Sequence, residues 1–534
     1  MIDTESPAVV LDWLREAQTG GVCRVARDGS TFLSWAHVRG DVESVAAHVA
    51  RCGVAPGDRV GIRAHNSYQW LVLDLALLQI GAVPVAVPIP DFGGRSNAEI
   101  SRRYGLVTMF ADAAGRAPED DAVVALESLL ELPPVMPLAD PPSPEGEQLP
   151  ASGRPYFTLA FSSGTAGRVK CLLMVWPGVR RLIEVTSEAY PLSPDDRIMI
   201  ALPLSTFQQR FLSYLAIRNA CSIVLTTAAR YLHALRAGSP TVLLGPPNFY
   251  EFAATRFANE VRLRRSARRL AAGLAVALPG RRVRRRWRRW VFRSYHDMFG
   301  GRARLMLVGS APVRRGMLEF FARAGFELHE IYGMTETGYL AWNRPGASRI
   351  GSVGRETYPG TLLLDEDGEV VIKHPWHICG GYEGEAAADV AAVFRGDDTI
   401  ASGDLGHFAD GYLYLEGRKK NVIVTAGGQK VPLEELEGEL AGAAGVNRVA
   451  LIDVPDRRGF AVVAWYRGDQ ALARADLRLR TQRLTHRLGV GSGVRQIALI
   501  EGDLSQDSPL LNRNLKLDRA AVYAATRDRL EPID

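Results

Sequence analysis

The spacing of apolar and polar positions changes several times along the 534-residue chain. From residue 31 to about 90, helical spacing alternates with short runs of Val, Ile and Ala. "GVAPGDRVGIRAHNS" predicts a turn, a strand and a polar loop. "YQWLVLDLALLQIGA" predicts a helix, and "VPVAVPIP" a further strand. Alternation of this kind predicts an α/β fold with a largely parallel sheet. Residues 112–155 carry many Asp, Glu and Pro with little periodicity, and predict a surface connection. The alternation is expected to resume over 156–415. Near 417 the texture changes. "GYLYLEGRKKNVIVTAGGQKVPLEELEGEL" predicts a hairpin strand, a basic turn, a strand, a glycine loop and a helix. The remaining chain is long enough for a small α+β domain. The expected domains are therefore 1–417 and 418–534, with the junction at Arg418–Asn421.

Composition agrees with more than one domain, since a chain this long exceeds a single hydrophobic core. Hydrophobic residues make up 47% and charged residues 23%, the balance of a soluble globular protein. The start, "MIDTESPAVVLDW", lacks the basic and apolar regions of a secretory signal. The most apolar segment, "WLVLDLALLQIGAVPVAVPIP", is broken by Asp74, Gln79 and three prolines, so it reads as a buried helix and strand. Five cysteines stand far apart with no zinc spacing and no disulfide framework, which fits a reducing cytoplasm.

Charge changes the picture more. Only six of the 64 basic residues are lysine: Lys170, Lys373, Lys419, Lys420, Lys430 and Lys516. Where arginine serves every generic need, a remaining lysine points to a compact charge on a flexible stem. Fourteen arginines crowd residues 256–293, with apolar residues between them at helical spacing. A solvated helical face is the ordinary reading. An acidic carrier or peripheral contact of 262–293 with an anionic membrane is the alternative. The net charge of +5 and the lack of any nucleic-acid motif argue against nucleic acid.

The chemistry concentrates at "FTLAFSSGTAGRVKCLLM", Phe157 to Met174. A strand-like run gives way to small residues and then to Lys170. A glycine-rich turn lets backbone N–H groups approach an anion, Ser162, Ser163 and Thr165 add hydroxyls, and Lys170 adds charge. This predicts a phosphate cradle, though not the Walker order. A plain serine/glycine loop is the competing reading.

Three further segments come in order: "EIYGMTETG", preceded by "ARLMLVGSAPV"; "ASGDLGHFADGYLYLEGRKK"; and "LLNRNLKLDR". Together the four resemble the core motifs of the adenylate-forming (ANL) superfamily of acyl-CoA synthetases, peptide-synthetase adenylation domains and luciferases. The resemblance runs from "GVAPGDRVGIRAHNSYQW" to "LKLDR". "TVLLGPPNFYE", "LMLVGSAPVRRGMLEFF" and "IVTAGGQKVP" are most similar to long-chain fatty acyl-CoA synthetases.

The resemblance implies a large N-terminal domain of layered sheets and helices and a small mobile C-terminal domain. It implies that Ser162, Ser163, Gly164, Thr165, Gly167 and Lys170 hold the ATP phosphates. Tyr332 would stack on adenine, with Gly333 and Met334 in the same motif and Gly309, Ser310 and Ala311 as the adjoining wall. Thr335 would touch the α-phosphate, and Mg²⁺ is assigned to Glu336 and Thr165. Asp404 would bind the ribose hydroxyls with Arg418 nearby. Lys516 would reach the attacking carboxylate and the α-phosphate. The hinge is placed at Lys420. Rotation about it would withdraw Lys516 and bring in Thr425–Val431, where Gly427 and Gly428 line a pantetheine tunnel or form a tight turn between strands. Cations positioned in this way would offset the charge built up when one anion attacks another.

The chain also departs from the family pattern. Val169 and Cys171 replace a proline and a glycine around Lys170, and Ala166 replaces a hydroxyl residue. Thr206 and Phe207, bordering the acyl site, replace His and an apolar residue, and Asn421 replaces an acidic one after the hinge. The expected enzyme is an AMP-forming ligase that activates a fatty or aryl acid with ATP and passes it to a thiol, most simply coenzyme A. Rival readings are loading of a carrier protein, an ATP-dependent diazotase activating nitrite for an aryl amine, and a non-catalytic nucleotide-binding sensor. Retention of Glu336 and Lys516 argues against the sensor.

Overall fold

The computed structural model describes residues 6–26, 29–116, 123–131, 155–163, 169–251, 287, 290–419, 422–424, 430–453, 460–488, 494–504, 508–511 and 517–533. The chain divides into two compact units. The first comprises Met1–Ile350, Gly354–Thr361 and Lys373–Ile400. The second comprises Gly351–Val353, Leu362–Ile372 and Ala401–Asp534.

Two large sheets organise the first unit. The nine-stranded sheet has the order Arg355–Glu356, Gly338–Trp342, Leu328–Met334, Leu305–Val308, Val242–Gly245, Arg197–Ile200, Ser222–Leu225, Gly21–Val25 and Ser30–Ser34. Its interior pairs are parallel, and antiparallel strands close both edges. The seven-stranded sheet has the order Cys379–Glu383, Val169–Met174, Thr158–Ser163, Val83–Ala86, Arg59–Arg63, Leu106–Ala111 and Val123–Ala125. Its last five strands are parallel. Its first three pair antiparallel.

The apolar segment near residue 70 forms the expected helix and strand. The helix Tyr68–Ile80 is capped at its start by the Ser67 hydroxyl and stopped by Gly81 at φ +82°. It is buried on nearly every side, including Trp70, Leu73, Asp74 and Leu77, so its apolarity belongs to the core. Among the described residues, no helix is long and apolar enough to cross a membrane. All five cysteines are free thiols.

Two expectations are corrected. Within 112–155, Val123–Ala125 joins the sheet edge, and Leu126 and Leu129 of the 3₁₀ turn Leu126–Glu131 are buried. Segments this short carry no detectable period. The strand–helix alternation also stops near residue 338. Beyond it the chain to Arg418 is mostly antiparallel strand, with the short helix Ala387–Val393.

In the second unit, Leu362–Leu364 pairs with Glu369–Lys373, and Thr399–Ala409 with Tyr412–Arg418. The expected junction Arg418–Asn421 falls at the end of that last strand. Val422–Val424 and Lys430–Pro432 then form a hairpin, followed by the helix Leu433–Leu440. Val446–Asp453, Phe460–Tyr466, Val494–Glu501 and Glu531–Pro532 make a mixed sheet packed with the helix Gln470–Leu488, an α+β arrangement.

Candidate active site

The strand at Thr158–Ser163 does not lead into a helix. It turns back as a hairpin, with Ser162 opposite Lys170 and Ser163 opposite Val169. Lys170 is therefore held on a strand, fixed by a ladder that the sequence pattern did not predict. Gly164, Thr165 and Gly167 lie outside the described residues. Successive strand residues face opposite sides. Lys170 is half-buried, while Cys171 packs in a cluster with Val83, Phe92, Tyr104 and Phe161. Burial pushes the Cys171 thiol well above its usual range. The cysteine that departs from the family pattern is thus a core residue at its position.

The Lys170 ammonium lies 4.3 Å from the ring centre of Tyr382. Tyr382 sits on the strand Cys379–Glu383, opposite Leu172 of the lysine's own strand. Its hydroxyl donates to Glu336 Oε1 at 2.7 Å. Burial and then the neighbouring Glu336 push the Tyr382 hydroxyl far up, so it remains a proton donor. The Cys379 N–H also donates to the Glu336 backbone carbonyl at 3.1 Å. Lys170 and Glu336 are thereby brought to two sides of one tyrosine. Sequence reasoning missed Tyr382; its one signal was a glycine pair before an aromatic in "CGGYEGE".

The remaining first-unit motifs converge at the carboxyl ends of adjacent parallel strands, where open α/β sheets bind ligands. Leu305–Val308 runs into Gly309, Ser310 and Ala311, and its parallel neighbour Leu328–Met334 carries Tyr332, Gly333 and Met334. A Cβ on Gly309 would stand 2.8 Å from the Ile331 carbonyl oxygen, so only glycine allows this approach. Ser310 holds a left-handed φ of +67°, uncommon for a residue with a Cβ. Tyr332 is buried beside a register shift at Gly333. Thr335 is half-buried in the following turn, and Glu336 is 8% exposed.

Thr206 and Phe207 begin the helix Phe207–Arg218. The Thr206 hydroxyl does not cap it and, among the described residues, is buried without a hydrogen-bond partner. Gln209, 1% exposed, likewise has both amide atoms buried and unpartnered. Phe211 on this helix meets Tyr339 edge-on at 5.6 Å, and Tyr339 stands shortly after Glu336 in the chain. The helix start is thus set beside the strand that leaves the Glu336 turn.

Asp404 and Arg418 belong to the second unit, where they are register partners on adjacent strands with Arg418 Nε 2.7 Å from Asp404 Oδ1. Gly427 and Gly428 lie outside the described residues; the strands Val422–Val424 and Lys430–Pro432 on either side of them pair antiparallel. Lys420, Lys516 and most of 262–293 also lie outside. Trp290, within that run, is 67% exposed and meets Trp287 at 5.3 Å.

A family model for AMP-binding enzymes matches residues 14–385, which include Lys170, Tyr332, Glu336 and Tyr382. The chain belongs to the AMP-binding enzyme family. Among the curated relatives of this AMP-binding enzyme is the long-chain-fatty-acid–CoA ligase FadD15 of Mycobacterium bovis, 28% identical over 446 residues, covering 77% of this chain and 73% of the relative. Feruloyl-CoA synthase of Amycolatopsis sp is 28% identical over 474 residues, covering 83% and 85%. The crystal structure of ATP-bound MatB from Rhodopseudomonas palustris shares the fold with a TM-score of 0.69 at 21% identity, over 98% of this chain and 99% of that one.

Proposed function

We propose that this AMP-binding enzyme is an AMP-forming acyl-CoA ligase. The observation that carries the reading is the meeting of Lys170 and Glu336 around Tyr382, a cation and a carboxylate suited to a triphosphate and its metal. In the first step a carboxylate oxygen attacks the α-phosphorus of ATP, and the bond to pyrophosphate breaks. Lys170 attracts the β- and γ-phosphates, Tyr332 lies against the adenine beside Gly309–Ala311, and Asp404 takes the ribose hydroxyls. Thr335 and Lys516 act at the α-phosphate. In the second step a thiolate attacks the acyl carbon and expels AMP. The names of the curated relatives favour CoA as the acceptor over a carrier protein, and favour carboxylic acids over nitrite.

The residues fit Mg²⁺. Among the described residues no cluster of three or more acidic, His or Cys side chains forms a closed metal cage. A lone buried carboxylate such as Glu336 suits an ion that keeps its waters and shares the substrate's phosphates. When bound, the ion would neutralise charge on those phosphates.

The unpartnered Thr206 and Gln209 atoms favour an acid that carries its own hydrogen-bonding group, as an aryl acid with a hydroxyl or amino substituent does, over a saturated chain.

The test is pyrophosphate release from ATP·Mg²⁺ across matched fatty and aryl acids, and nitrite with aryl amines, each with and without CoA, with products identified by mass. A thioester that needs both acid and CoA is the expected product. Lys516→Ala should lower adenylate formation by about a hundredfold or more while ATP still binds. Unchanged turnover would remove Lys516 from the mechanism.

A further inference from the structure

Tyr382 stands between two opposite charges. Its ring face takes the Lys170 ammonium at 4.3 Å, and its hydroxyl holds one oxygen of Glu336 at 2.7 Å. Among the described residues, the Lys170 ammonium makes no ion pair and no hydrogen bond. The contrast with other cations in this unit is plain. Arg59 pairs with Glu383 at 2.8 Å, although Glu383 is the next residue along the same strand as Tyr382. An acidic partner therefore lies close in the chain, yet the lysine is offered an aromatic face.

A salt bridge between Lys170 and Glu336 would neutralise both, and an incoming triphosphate with its metal would have to break it. A ring face steadies an ammonium without quenching its charge. A phenol that donates to a carboxylate orients it and leaves its second oxygen for another cation. We infer that Tyr382 is a positioning residue that keeps Lys170 and Glu336 apart, so that the lysine stays available to phosphate and the carboxylate to the metal. The inference rests on the ligase reading above and adds to it a residue that touches neither reacting atom.

The test measures ATP binding to the full chain by calorimetry, with and without Mg²⁺, beside pyrophosphate release. Tyr382→Leu removes the spacer, and ATP affinity without Mg²⁺ should fall about tenfold as Lys170 and Glu336 close on each other. Adding Glu336→Gln to that variant should recover most of the loss, because the lysine has no carboxylate left to pair with. Tyr382→Phe keeps the ring, guards against a folding defect in the leucine variant, and removes only the hydroxyl. It should raise the Mg²⁺ concentration needed for half-maximal ATP binding about threefold, the effect of losing one orienting hydrogen bond. Equal ATP affinity in wild type and Tyr382→Leu, or no recovery with Glu336→Gln, overturns the spacer role alone. A wild-type chain that binds no ATP overturns the ligase reading and the spacer role together.

Discussion

Arg210 and Lys170 are both cations of the first unit, and they are held in opposite ways. Arg210 is fully buried and fully partnered. It reaches Asp74 at 2.5 Å and the Thr158 hydroxyl at 2.7 Å, and the Tyr214 hydroxyl joins both charges. Burial opposes its charge, and Asp74 and Tyr214 more than restore it. Lys170 is half-buried, with the Tyr382 ring face against its ammonium. A cation with every guanidinium nitrogen hydrogen-bonded locks a helix to a sheet. A cation left with donors to spare is poised for a ligand. The chain's own usage follows this division, with arginine in the framework and one of its rare lysines at the proposed phosphate site.

The largest effect should come from breaking the framework pair. Arg210→Ala leaves the buried Asp74 without its cation, and should cost about 3–5 kcal/mol in denaturant unfolding. Replacing both partners, Arg210→Met with Asp74→Leu, should recover most of that loss. If the single change proves mild, full partnering is not what marks a structural cation here. Lys170→Ala should do the reverse. Its unfolding should shift by no more than about 1 kcal/mol. Its rate of pyrophosphate release should drop roughly a hundredfold, about 2.7 kcal/mol of barrier. Lys170→Arg sharpens the contrast further. A wild-type rate would show that any cation suffices and that the lysine's compact head is immaterial.

The smallest effect concerns a third way of holding a titratable group, which is to bury it uncharged. His374 stacks on His377 with ring centres 4.4 Å apart, and its Nε2 has no partner among the described residues. Burial, then the second imidazole, pushes it down to about 3. Between the ordinary histidine value and that point, the unfolded chain binds a proton that the folded chain refuses. Stability should therefore fall as pH drops from roughly 6.5 toward 3. His374→Phe should flatten that slope by at most about 1.4 kcal/mol per pH unit, read as melting temperature against pH. An unchanged slope would mean that other groups dominate the acid limb.

Much of this was legible before any coordinates. The helix Tyr68–Ile80, the strands around it and the hairpin after Arg418 arise from period and turn residues. Lys170 stood out because small and hydroxyl residues precede it, and Tyr332 and Glu336 because their segment resembles a motif of the adenylate-forming superfamily. The edge strand Val123–Ala125 escaped because so short a segment has no period. Tyr382 escaped for another reason: nothing near it in the chain says that it faces Lys170. The burial of Cys171 escaped as well, since only the sheet shows that this position faces the aromatic cluster of Tyr104 and Phe161.

The sequence by itself determined the family, the α/β character of the first unit and the residues proposed to hold phosphate, because these depend on residue type and on neighbours a few positions away. Tertiary structure alone decided which charges would be neutralised and which left free. Pairing Cys379–Glu383 with Val169–Met174 set a phenol between a lysine and a glutamate that local sequence never joins, and helix packing set Asp74 against Arg210. Charge falls off over a few ångströms of space, whatever the separation along the chain, so only the fold can assign it a partner.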